Sequence, residues 1–168
     1  MAEFFSKASC VLRWAPASSS SMTPSIRRLI KICYLLALMI VAYWVLWFAH
    51  RSLVASENTR VYMNFEQAFP LADGFIVSFL LLSAWALRRG SSLAVLFLLL
   101  GAGSGFYLGG MDVLFDLEHG IWLKGSNGII ELCINIATFV AATTLARFTW
   151  RARRALDHDT SRTTPRAR

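Results

Sequence analysis

Asp112, Asp116 and His119 close the stretch Gly101 to His119, GAGSGFYLGGMDVLFDLEH, where an apolar run turns acidic. Their i, i+4, i+7 spacing returns all three to one face of a helix that turns about 100° per residue. Oxygen ligands with one imidazole suit a divalent metal ion, so these three residues are a candidate metal site. Glu118, Asp73 and Glu131 are the acids that would complete such a shell. The two aspartates also carry a second chemistry. The helix dipole is negative at its C-terminal end, and charges one turn apart repel each other, so the pair calls for a compensating cation or a shared proton.

Three readings follow from that requirement. In the first, an acidic cluster binds a cation or a partner protein without catalysis. In the second, a protonated Asp112 or Asp116 beside Tyr43, Trp47, Trp85, Phe106 or Tyr107 acts as a general acid on a lipid or isoprenoid, with aromatic faces stabilising a cation. In the third, the carboxylates belong to a proton- or cation-coupled transport component. The first is preferred, because no HExxH, GxSxG, P-loop or thiol pair is present and no acid or base occupies the lower half of any apolar segment. No resident cofactor is expected, with a divalent metal ion as the single exception considered.

The elements that position these acids are membrane helices. The chain has 168 residues, 56% of them apolar and 16% charged, with a mean hydropathy of +0.51. That composition places it in the membrane class rather than among soluble domains. Four segments are apolar enough to cross a bilayer: about 32–49, 70–87, 93–111 and 128–146. The expected fold is therefore all-α, a four-helix transmembrane bundle over residues 32–147. Gly101, Gly105 and Gly109 share the face of Asp112 and Asp116, a glycine zipper that lets another helix approach closely. In the fourth segment Glu131, Asn135 and Thr138 form a polar stripe that must face the bundle, because polar groups in lipid need partners. Asp73 and Glu131 are expected in first helical turns, where the dipole favours negative charge. Asp73, Asp112, Asp116, Glu131 and Asn135 thus form the expected polar cluster.

Charge sets the topology. Fourteen of the seventeen lysines and arginines fall on the side of the two termini, and Arg51, Arg60 and Lys124 alone fall opposite. The positive-inside rule then gives N-in, C-in. Seven of the ten acids lie on the other side. The net charge of +7 is read as topology and attraction to anionic lipid, not as nucleic-acid binding. The bilayer is the first partner, with a membrane-protein partner or a homo-oligomer beside it. Localisation is expected in a bacterial plasma membrane, with an organellar inner membrane as the alternative. Tyr43, Trp44, Trp47 and Phe48 read as an interfacial aromatic belt. Cys10, Cys33 and Cys133 form no CxxC pair, and Cys33 and Cys133 should lie too far apart for a disulfide.

Residues 1–31 form a basic, serine-rich segment. Phe4, Phe5, Ala8, Val11 and Leu12 give it an apolar helical face, as in a transit peptide or an interfacial helix, and translation from Met22 would remove that face. Residues 50–69 read as a polar connection. Residues 148–168, rich in arginine, read as a disordered cytosolic tail.

Overall fold

The computed structural model describes residues 24–161, and the amphipathic face at Phe4 to Leu12 lies outside the described residues. Among the described residues every element is helical. The long helices are α1 (Pro24–Ala49), α4 (Phe69–Arg88), α5 (Leu93–His119) and α6 (Gly125–Ser161), with two short helices, α2 (Arg51–Val54) and α3 (Arg60–Glu66), between α1 and α4. A 3-10 turn, Ile121–Leu123, joins α5 to α6. Four helical segments, Pro24–Ala49, Arg60–Arg88, Leu93–His119 and Gly125–Arg153, are long and apolar enough to cross a membrane.

The helices are longer than the apolar segments that mark them. Helix α1 opens at Pro24, where a missing N–H costs nothing because the first turn has no partner for it. Helix α5 passes straight through Asp112 and Asp116 and stops only at Gly120, which adopts φ 60° and returns its amide to the Asp116 carbonyl. That is a left-handed helix stop that glycine adopts without steric cost. Helix α6 runs on from Ala146 to Ser161, so the first part of the expected disordered tail is helical. No glycine or proline interrupts residues 147–161, and arginine, alanine and leucine are strong helix formers. Leaving the apolar zone and leaving the helix are separate events here.

Packing follows the order of the chain. Helix α1 packs on α4, α4 on α5 and α5 on α6, whereas α1 and α6 make no comparable contact, so a seam runs between them. The buried core is built from small and branched side chains, among them Cys33, Ala37, Leu80, Ala84, Leu98 and Ala102. Leu35, Leu38, Val45, Phe48, Leu71 and Val140 are each more than half exposed. A perimeter of that kind is consistent with a membrane-spanning protein, whose helices face lipid. Cys33 and Cys133 are both free thiols.

The glycine face of α5 meets its neighbours at short range. A Cβ added at Gly105 would lie 3.4 Å from Ala142 Cβ, one at Gly109 3.2 Å from Thr138 Cγ2, and one at Gly101 3.5 Å from Phe79 Cβ. Gly103, on the opposite face, has nothing within 4 Å. Overpacking a close helix crossing costs about 1–3 kcal/mol. Gly109→Leu should therefore lower the thermal unfolding midpoint in detergent, while Gly103→Leu leaves it unchanged or raises it. Equal midpoints for the two variants would contradict the packing described.

Candidate functional site

The close crossing of α5 and α6 sets the register of the polar groups. With Gly109 against Thr138, the positions three and seven residues onward in α5, Asp112 and Asp116, come alongside the positions three and seven residues back in α6, Asn135 and Glu131. The four side chains form a square. Across one diagonal Asn135 Nδ2 donates to Asp116 Oδ2 at 2.7 Å. Across the other, Asp112 and Glu131 approach each other and a third acid, Glu66. One carboxylate oxygen from each of Glu66, Asp112 and Glu131 lies within 4.8 Å of the other two.

Glu66 arrives on the segment expected to be a polar connection. Thr59 caps α3 by accepting from the Tyr62 amide, and the helix turns Tyr62 and Glu66 inward, 1% and 4% exposed. Hydroxyls hold this segment over α6. Ser56 Oγ donates to Glu131 Oε2, the Tyr62 hydroxyl lies 3.5 Å from the same oxygen, and Asn127 Nδ2 donates to the Ala55 carbonyl at 3.3 Å. A signal for α3 exists in the sequence, since Tyr62, Phe65 and Phe69 recur at helical spacing and Glu66 stands one turn after Tyr62.

The remaining expected residues divide between the cluster and its supports. Asp73 accepts a 2.8 Å hydrogen bond from Trp44 Nε1 and faces the same cavity as the three acids. Asp116 is 1% exposed, and its Oδ2 takes a second bond, from Trp122 Nε1 at 2.8 Å. It ties α5 to α6 and to the intervening turn. Its Oδ1, like Asn135 Oδ1, is buried with no partner among the described residues. His119 is exposed, stacked on Phe115 at 4.1 Å, with Nδ1 at 2.9 Å from the Phe115 carbonyl, and it stands apart from the carboxylate group. Neither Asp73 nor Glu131 occupies a first helical turn, because α4 and α6 both begin earlier than their apolar stretches. The dipole advantage therefore does not reach them, as it fades within the first turn.

The aromatic residues of α1 also divide. Trp44 and Trp47 are buried, Tyr43 is half-buried, and of the four only Phe48 faces outward as a belt residue would. Tyr43 and Trp44 line a cavity of about 320 Å³ headed by Glu66, Asp73, Asp112 and Glu131. Among the described residues no lysine or arginine lines it. The nearby cations are engaged elsewhere: Lys124 pairs with Glu57 at 2.8 Å, and Arg51 lies over the Trp47 ring at 5.4 Å. Glu66 takes no hydrogen bond or ion pair from any described residue.

These distances have an energetic consequence. Two like charges 4.8 Å apart repel by about 3.5 kcal/mol at an effective dielectric of about 20, and three carboxylates make three such pairs. The hydroxyl bonds to the charged Glu131 carboxylate return only about 1.5–3 kcal/mol each, less in sum than the three repulsions. The cluster therefore needs protons or a cation to complete it. Asp116 is a different case, since two N–H donors satisfy one of its oxygens directly. Removing one of them should cost about 1–3 kcal/mol, the usual penalty for a buried acceptor that loses its donor. Asn135→Leu should accordingly destabilise the detergent-solubilised protein more than Thr138→Val, because the Thr138 hydroxyl bonds only to the carbonyl of Ile134 in its own helix. Comparable melting points for the two variants would count against the interhelical bond.

No protein-family model, no curated protein and no solved structure matches this chain.

Proposed function

We propose that this chain is a multi-pass integral membrane protein that binds a cation at Glu66, Asp112 and Glu131, as a binding protein and not an enzyme. The observation that carries the reading is the meeting of three carboxylates from α3, α5 and α6 within 4.8 Å, at the head of a cavity with no basic side chain among the described residues of its wall. Glu66 supports it further, since its side chain is 4% exposed, lines the cavity and takes no hydrogen bond or ion pair from any described residue. A site made of acceptors is complemented by a donor or a positive charge. Asp73, held by Trp44, adds a fourth acid to the wall and extends the negative field into the cavity.

Orientation belongs to the same proposal. The Arg88–Arg89 turn and the arginines of the C-terminal helix lie at the end opposite the carboxylates, so the positive-inside rule puts both termini in the cytosol and the acidic cluster beneath the far surface. A cation then reaches the site from the non-cytosolic side or from within the bilayer.

Titration calorimetry on the purified protein in nanodiscs, with calcium in one series and methylammonium in another, tests the reading. One of the two should bind saturably at one per chain, and Glu66→Gln, Asp112→Asn and Glu131→Gln should each weaken it at least tenfold. Absence of saturable binding in both series, with the protein folded, would overturn the reading.

A further inference from the structure

The cavity is much longer than an inorganic ion requires. Its α6 wall runs from Glu131 to Leu145 and its α5 wall from Asp112 to Gly101, which at 1.5 Å per residue are roughly 21 Å and 17 Å. Acids occupy one end only. Below them the wall is apolar, with Leu36, Leu80, Leu108 and Ile134 among the side chains that line it. The three glycines of α5 also line this space. The result is a trough lying along the bundle axis with its negative charge concentrated at its head.

The trough also has a side opening. Helices α1 and α6 flank the seam where the bundle does not close, and both contribute lining residues. Met39 on α1, 58% exposed, and Ala137 on α6, also exposed, each line the cavity while facing outward. A molecule already dissolved in the bilayer can slide in between them without its chain crossing water.

From the charge, length and side opening together, we infer that the occupant is a single-chain amphiphile with a primary ammonium head, a long-chain amine taken from the bilayer. The head meets Glu66, Asp112 and Glu131, and the chain lies in the trough between α1 and α6. An ammonium group has three N–H donors for the three carboxylates. Oxygens about 2.8 Å from one nitrogen in tetrahedral directions stand roughly 4.6 Å apart, within the observed spacing of 4.8 Å or less. Tyr43 and Trp44 line the head of the trough, where aromatic faces attract a cation. The apolar wall gives the chain no net gain over lipid, because lipid is equally apolar. Selectivity therefore resides in the head, and the trough makes room for what is attached to it.

This inference rests on the cation-binding reading, and one set of measurements on the wild-type protein separates the two. Binding of radiolabelled dodecylamine to protein-loaded nanodiscs is compared with binding to empty discs, alongside dodecanol and calcium as competitors. The expected result is saturable dodecylammonium binding at one per chain, not displaced by an equal amount of dodecanol, and reduced at least tenfold by Asp112→Asn. Ala141→Phe, which places a ring inside the trough, should reduce it at least tenfold as well; undiminished binding in that variant would put the chain elsewhere and overturn the inference. Calcium binding without any dodecylammonium binding overturns the long-chain occupant and leaves the cation site standing. Dodecanol competing as well as the amine would mean a groove without head selectivity, and the inference fails. Failure of every cation to bind removes both.

Discussion

The close approach of α5 to α6 over Gly105 and Gly109 is the constraint from which the polar architecture follows. Side chains at those two positions would hold the helices apart at Ala142 and Thr138. With them absent, the register is fixed, and Asp112 and Asp116 come alongside Asn135 and Glu131 without any further device. A membrane bundle has little hydrophobic force to pull its helices together, so contact of this kind must come from close packing and from interhelical hydrogen bonds. Here the two reinforce each other. The glycines bring Asn135 within reach of Asp116, and that bond holds the upper part of the crossing where the glycines end.

The acids then serve different purposes according to the donors around them. Asp116 receives Trp122 and Asn135, and Asp73 receives Trp44. Glu131 receives hydroxyls, while Glu66 and Asp112 are left facing the cavity. Indole N–H groups are well suited to this work, since a tryptophan brings one donor on a large apolar body that packs in the bundle. The tryptophans therefore give Asp73 and Asp116 each an indole donor, while Glu66 and Asp112 receive none and look into the cavity. The short helices α2 and α3 complete the arrangement by bringing Ser56, Tyr62 and Glu66 over the open end.

The serial packing of α1, α4, α5 and α6 has its own consequence. A four-helix bundle in which every helix touches two neighbours encloses its core, whereas here the first and last helices stand on either side of a seam. Small residues on α6, Ala137 and Ala141, line the space behind that seam. Compact packing around Cys33, Ala84 and Leu87 coexists with the open cavity alongside it, so rigidity and a cavity occur within the same short chain.

Much of the fold was determined by the sequence alone. Apolar segment length dictated four helices, because backbone N–H and C=O groups in lipid must be satisfied within the segment. The 3.6-residue period put the glycines and aspartates of α5 on one face, and put Glu131 and Asn135 together on α6. Hydropathy could not locate the true helix ends: Pro24, Gly120 and the uninterrupted residues after Ala146 govern those, and none of them is an apolar signal. Only the tertiary structure decided which acids meet. Periodicity assigns a residue to a face but does not say which face it will oppose. Asp116 therefore went to Asn135 and Trp122, and His119, on the same helix, went to the surface. Glu66, separated from Glu131 by sixty-five positions, joined the cluster because α3 folds back over the bundle, a long-range contact that no local pattern encodes.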